Sequence, residues 1–214
     1  MTLRPFSGPA SRNVILMVPA TPMEQTMRTL IVTAFQSLDG VMEAPGGEEG
    51  YRNAGWTFKD VAFDPAAYEL KGREQEEAGA LLLGRRSYEA FAPVWPTMTD
   101  EFPRYNAMPR YVVSTTLEAD DDRWPATILR STDDVAALKE TDGGPIIVHG
   151  SAELGASLAD AGLVDRYHLL TFPLLLGAGK RLFSAADKDA TKLEVVEHAT
   201  YPNGIHMQVL DVVR

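Results

Sequence analysis

The chain has 214 residues, 45% of them hydrophobic and 23% charged, an ordinary globular composition that excludes disorder and collagen-like repetition. It contains no cysteine, which removes disulfides, thiol catalysis and cysteine-ligated zinc and fits a cytoplasmic location. Thirty acidic against 20 basic side chains leave a formal charge of −10; such a surface repels nucleic acid and anionic membrane unless a basic pocket is set aside for one anion, and no apolar run approaches the roughly 20 residues of a membrane span.

Residues 1–26 carry Pro5, Pro9, Pro19 and Pro22 and one short apolar run, Val14–Val18. That run is shorter than the apolar core of about 7–15 residues that a signal peptide needs. The segment reads as an N-terminal extension outside the main fold, or as an arm packed on the domain or on a partner, and the domain itself as residues 27–214.

From Leu30 onwards strand and helix patterns alternate. Leu30–Phe35 is a β-forming run that ends in the turn Ser37-Leu38-Asp39-Gly40. Asp64-Pro65 offers an N-cap and a first-turn proline, Ala67, Leu70, Glu74 and Ala78 follow at helical spacing, and Gly79 reads as the stop. Ala80–Leu83 is an apolar strand entering Gly84-Arg85-Arg86-Ser87, and Tyr111–Ser114 and Thr127–Leu129 are further strands. Ser131 with Asp134 forms a capping box for a helix through Lys139. Gly143-Gly144-Pro145 then breaks the chain before the strand Ile146–His149. A helix from about Ser151 has Leu154, Leu158 and Ala161 on one face, and Arg166–Phe172, Leu193–His198 and Ile205–Val212 close the chain as strands. Asn203-Gly204 signals a type I′ hairpin, with positive φ at both central residues. These elements predict an α/β fold, a mixed and mostly parallel sheet flanked by helices with an antiparallel C-terminal hairpin.

Ligands of open α/β sheets bind at the carboxyl ends of the strands. Gly84-Arg85-Arg86-Ser87 offers a helix start, two guanidinium groups and a hydroxyl for phosphate, or else a glycine turn with solvated arginines. Ser114-Thr115-Thr116 is a hydroxyl cluster at a strand end, or a plain turn. His149-Gly150-Ser151-Ala152-Glu153-Leu154 is a second glycine turn entering a helix, as an anion site or merely as a sharp bend. Gly177-Ala178-Gly179-Lys180-Arg181 combines glycines with positive charge, again readable as a flexible turn. Trp56 and Trp95 lie in loops, where they wall an apolar substrate pocket or cap a core edge. No pair among His149, His168, His198 and His206 has metal-ligand spacing on one helix, so no metal is expected.

Taken in order, SLDG, LLLGRRSYE, YVVSTT, IIVHGSAEL and FPLLLGAGKRLF resemble the dihydrofolate reductase superfamily, and most nearly the reductase domain of the bifunctional riboflavin-biosynthesis deaminase/reductase and its stand-alone bacterial relatives. The resemblance implies a dihydrofolate-reductase-like fold that binds NADPH. It assigns the cofactor phosphates to Gly84, Arg85, Arg86 and Ser87, and the adenosine and its 2′-phosphate to Ser114 and Thr115. The pyrophosphate goes to Gly150, Ser151, Ala152 and Glu153, with Leu154 opening the buried face; Ser37, Asp39 and Gly40 fall beside nicotinamide and substrate. Asp39 is thereby the candidate for orienting the substrate or supplying a proton, and a homodimer built through the closing strands is implied.

The activity implied is hydride transfer to a C=N or C=O carbon of a small heterocycle or sugar derivative. The alternatives are reduction of 5-amino-6-(5-phosphoribosylamino)uracil and, from another class, a non-catalytic NADP-binding regulatory protein. Two departures bear on the choice. Val41 follows SLDG where the riboflavin enzymes usually carry a basic residue, and Ser114 stands where they have aspartate. The acidic residue that dihydrofolate reductases carry on the first helix has Asp60, Asp64 and Glu69 as candidates.

Overall fold

The computed structural model describes residues 27–118, 122–183 and 189–214; the expected extension, residues 1–26, lies outside the described residues. Eight strands form one sheet: β1 (Leu30–Ser37), β2 (Ala80–Gly84), β3 (Arg110–Val113), β4 (Thr127–Leu129), β5 (Ile146–His149), β6 (Arg166–Phe172), β7 (Leu193–Thr200) and β8 (His206–Val212). Their order across the sheet is β4-β3-β2-β5-β1-β6-β8-β7. The six strands from β4 to β6 run parallel, and β8 pairs antiparallel with both β6 and β7. This is the mixed, mostly parallel sheet with an antiparallel C-terminal hairpin that the sequence pattern implies.

Among the described residues six α-helices join these strands: α1 (Trp56–Lys59), α2 (Glu69–Glu77), α3 (Arg85–Phe91), α4 (Pro103–Ala107), α5 (Thr132–Lys139) and α6 (Ala152–Asp160). Helices on both faces explain why β2 is apolar without alternation: Ala80, Leu81, Leu82 and Leu83 are all fully buried. Leu30, Val32, Leu82 and Val148 pack against Val135 and Leu138 of α5 and Leu154 and Leu158 of α6. On the opposite face Leu81, Leu83 and Val112 meet Tyr88, Trp95, Tyr105 and Trp124. Further along that face, Leu170 and Phe172 meet Trp56 and Leu70.

Local signals act where expected, with three differences of detail. Asp64 accepts the Ala66 N–H at 3.1 Å, but it caps a short 3₁₀ turn, Pro65–Tyr68, and α2 begins only at Glu69. Gly79 is a close-contact residue and not a helix cap, because a Cβ there would lie 2.6 Å from the Gly144 backbone nitrogen. The hairpin between β7 and β8 is present, but its turn is closed by Gly204 N–H donating to the Tyr201 carbonyl at 2.9 Å. Pro202 therefore takes the first central position, and proline cannot adopt the positive φ of a type I′ turn. Gly204 alone is left-handed, at φ 84°. The Ser131–Asp134 capping box forms in full.

Candidate active site

A cleft of about 1020 Å³ opens at the carboxyl ends of β2, β3 and β5, beside β1. Gly84, Arg85, Arg86 and Ser87 line it after β2, Ser114 and Thr115 after β3, and Gly150, Ser151, Ala152, Glu153 and Leu154 after β5. Three segments separated in sequence thus share one cavity. Gly150 and Ser151 turn β5 into α6 through two successive left-handed residues, at φ 66° and 51°. The Ser151 N–H donates to Ser87 Oγ at 3.0 Å, and Gly84 N–H donates to Ser151 Oγ at 2.9 Å. Ser114 Oγ accepts the N–H groups of Thr116 and Leu117. The three serines therefore shape the loops through bonds of their own.

Charge gathers at the mouth. Arg85 donates to Glu89 and to Thr116 Oγ1, Arg86 pairs with Glu153 at 3.4 Å, and Lys180 Nζ reaches the same Glu153 carboxylate at 3.2 Å. Both Arg86 and Glu153 are well exposed, so these pairs are worth little in stability and their charges stay available to an anion. The N-terminus of α6 adds the positive end of a helix dipole.

The segment Ser37–Gly40 does a different job. Asp39 accepts the Ser37 hydroxyl at 2.6 Å and the N–H groups of Leu176 and Gly177 at 3.0 and 2.7 Å, with Arg181 3.7 Å away. The Ser37 hydroxyl and the Leu176 N–H hold its carboxyl down at about 2, against a small opposing effect of burial. Gly40 turns the chain at φ 80°, and Ser37 Oγ also accepts the Val41 N–H. Ser37, Asp39 and Gly40 are not among the residues that line the cleft, whereas Met42 and Glu43 just beyond them are. Held by three donors and outside the residues that line the cleft, this carboxylate ties the Ser37–Gly40 turn to the 174–181 segment.

The two tryptophans also part company. Trp95 lines the cleft, stacked 4.4 Å from both Phe91 and Phe102. Trp56 is fully buried, edge-on to Phe172, with its indole N–H on the Glu43 carbonyl at 2.9 Å. Its contribution is to position the 43–45 segment, because an indole packed this deep has no surface left for a ligand.

One polar cluster was missed by sequence reasoning. Glu74 of α2 is fully buried against the sheet, where it accepts the Thr33 hydroxyl at 2.7 Å and lies 2.9 Å from His168 Nδ1. Lys71, one turn earlier, places Nζ 3.3 Å from Glu74, against Thr33 Oγ1 and over the Phe35 ring. Burial pushes the Glu74 carboxyl up, but Lys71, His168 and Thr33 outweigh it and hold it at about 2. Burial also draws the Lys71 ammonium below the usual lysine range, against the pull of Glu74.

Lys71 and Thr33 line the cleft, as does His149, the register neighbour of Thr33 on β5. His149 sits among Phe91, Trp95 and Tyr105, and burial, followed by the Lys71 charge, lowers it to about 4. The signal for the cluster was a glutamate in step with Ala67 and Leu70 on the buried stripe of a helix. Asp60 and Glu69, by contrast, are exposed, and Asp64 caps the 3₁₀ turn.

Comparison with known proteins identifies the family and the fold. The family described as the RibD C-terminal domain matches residues 28–207. The chain belongs to that family. As a RibD C-terminal domain it is 25% identical over 184 residues to the uncharacterized protein YyaP of Bacillus subtilis, across 83% of this chain and 92% of that protein. A pyrimidine reductase-like protein of Corynebacterium diphtheriae superposes with a TM-score of 0.59 at 16% identity, over 91% of this chain and 96% of that one. Dihydrofolate reductase of Enterococcus faecalis, complexed with NADP(H), superposes with a TM-score of 0.53 at 15% identity, over 87% and 97% of the two chains. The last two likenesses establish the dihydrofolate-reductase-like fold, and the family match makes this a reductase-type domain.

Proposed function

We propose that the protein is an NADPH-dependent oxidoreductase that delivers hydride to a C=N or C=O carbon of a small substrate. The convergence of the three glycine- and hydroxyl-bearing turns on one cleft with Lys71, His149 and Trp95 carries this reading. The residues present fit the cofactor. The cleft is at the upper end of the range for small-molecule sites. Gly150 makes the turn beside Ser87 and Phe91 at φ 66°, a left-handed conformation that favours glycine. Arg85, Arg86, Thr115, Lys180 and the start of α6 would hold the phosphates, with Gly84, Ser87, Ser114, Ser151, Ala152, Glu153 and Leu154 shaping their bed. When bound, the reduced nicotinamide supplies the hydride. The chain's part is to orient both reactants and to exclude water, with Phe91, Trp95 and Phe102 as one wall.

The charge of the substrate end supports an unphosphorylated substrate. The 42–51 segment brings Glu43, Glu48 and Glu49 to the rim, while Arg52, Arg104 and Arg181 are not among the lining residues. Lys180 does line the cleft, but it lies with Arg86 and Glu153 at the end assigned to the cofactor phosphates. Reduction of 5-amino-6-(5-phosphoribosylamino)uracil is the second reading, favoured by the family itself. A non-catalytic NADP-binding protein is the outcome if cofactor binds and nothing is reduced. We further take residues 27–214 as the reductase domain, with residues 1–26 as an extension, and the protein as cytoplasmic. A homodimer is supported by Val195 and Val196, both half-exposed on the edge strand β7.

The deciding experiment is calorimetry with NADPH and NADH, followed by NADPH oxidation against a panel that includes the phosphoribosyl pyrimidine. Tight NADPH binding with turnover of unphosphorylated acceptors is expected. Turnover near one per second on the phosphoribosyl compound, well inside the ordinary enzyme range, would promote the second reading.

A further inference from the structure

A hydride transfer to a C=N or C=O bond also needs a proton, and most polar groups of the cleft are placed or engaged elsewhere: Glu43, Glu48 and Glu49 stand at the rim, and the Tyr51 hydroxyl donates to the Ala178 carbonyl. Glu74 is ionised and Asp39 lies outside the lining. His149 is neutral at physiological pH, and the Thr33 hydroxyl proton is committed to Glu74. Tyr105 is pushed well above its usual range by burial and then by Glu74. The guanidinium groups of Arg85 and Arg86 do not release protons, and Lys180 sits at the mouth with Glu153.

Lys71 differs from all of these. Its side chain is only 14% exposed, yet it lines the cleft beside Thr33, Phe35 and His149. It is anchored by Glu74 on its own helix and by Thr33 from β1, with His168 from β6 on the far side of Glu74; His149 from β5 and, towards Glu74, Tyr105 from α4 are the other titratable groups that face this pair. Lys71 balances the Glu74 charge and at the same time lines the cavity, where a substrate could meet it.

We propose that Lys71 is the proton donor of this cleft, its ammonium, seated on Glu74, protonating the oxygen or nitrogen of the bond whose carbon receives the hydride. This rests on the reductase reading above. The balance is simple. Hydride from the reduced nicotinamide adds to the carbon as the π bond breaks, and the freed electron pair takes a proton from Nζ. Nicotinamide leaves oxidised, the substrate leaves reduced, and the neutral amine regains its proton from water. Partial burial makes the ammonium a better acid than a surface lysine, which suits general acid catalysis near neutral pH. Glu74 acts as a positioning residue, holding the ammonium in place without entering the reaction.

The test compares wild type with Lys71→Arg and Lys71→Met, using dihydrofolate as a C=N probe and 9,10-phenanthrenequinone as a C=O probe. Arginine keeps the charge against Glu74 but gives up no proton, so it separates a structural lysine from a donating one. Thermal melts and NADPH calorimetry establish that each variant folds and binds cofactor; if Lys71→Met does not fold, Lys71→Arg alone decides.

We expect Lys71→Arg to bind NADPH within about threefold of wild type while losing about 100-fold or more in kcat, in the ordinary range for general acid catalysis. Wild-type kcat should fall as pH rises through the lysine titration, a limb that both variants lose. Independently of turnover, NMR of reductively ¹³C-methylated protein should show Lys71 titrating below the usual lysine range. Retention of kcat within about threefold in Lys71→Arg overturns the proposal alone. Wild-type protein that binds NADPH but reduces neither probe overturns it together with the catalytic reading, and failure to bind NADPH removes the cofactor reading itself.

Discussion

Gly84 and Ser151, 67 residues apart in sequence, are joined by a 2.9 Å hydrogen bond from the Gly84 N–H to the Ser151 hydroxyl oxygen. The Ser151 N–H answers on Ser87 Oγ at 3.0 Å, so the two glycine turns of the cleft are one mechanical unit. Replacing Ser151 with alanine removes the acceptor and leaves a partly buried N–H unpaired, at a cost of about 1–2 kcal/mol. Urea unfolding should record that loss, and calorimetry should show NADPH binding weakened several-fold because the turns no longer move together. Unchanged affinity would mean that the turns hold their shape independently.

Arg86 is exposed, and its present partner is the equally exposed Glu153. Removing it with Arg86→Ala should therefore leave stability nearly unchanged. A charge-assisted bond to phosphate contributes about 1.5–3 kcal/mol, so NADPH and NADH binding should both weaken roughly tenfold or more, because Arg86 lies beside Glu153 at the turn assigned to the pyrophosphate they share. Parallel titrations with the two cofactors read this directly.

Asp39 and Glu74 are both held at about 2, one as a latch and the other as the lysine's counterion. Asp39→Asn should lower the melting temperature, at a cost of roughly 1 kcal/mol for the weakened bonds to Leu176 and Gly177. The kcat on a reducible probe should stay within a few-fold of wild type, since no proton passes through Asp39. A loss of two orders of magnitude would restore its expected role in the chemistry.

Stability should fall in acid in two stages. His149 is lowered by burial to about 4, so between about 6.5 and 4 the unfolded chain binds a proton that the folded chain refuses. Its contribution is fully present above about 6.5 and is lost as pH falls towards 4, a change on the order of 3 kcal/mol. Glu74 adds a second stage, as its carboxylate is protonated more readily in the unfolded chain between about 4.5 and 2. His149→Phe should flatten the first stage and leave the second, which urea melts at pH 4.5, 5.5 and 7 can resolve.

Sequence alone determined what depends on neighbours along the chain. The run Ala80–Leu83 declares a strand buried on both faces, Ser131 and Asp134 declare a helix start, and Gly84 and Gly150 mark turns at strand ends. Propensity, capping and turn chemistry act over a few residues, so they are legible in order. Tertiary structure decided what depends on distance. Glu74 meets Thr33 across 41 residues and His168 across 94, and its place on a buried helix stripe says that it is buried but not which groups it will meet. Asp39 finds its N–H partners 137 and 138 residues away, which ties the Ser37–Gly40 turn to a segment far along the chain. Trp56 and Trp95 read alike as loop aromatics until packing buries one and leaves the other on the cleft wall. A charged or aromatic side chain takes its role from the groups that desolvate and pair with it, and only the folded sheet brings those groups together.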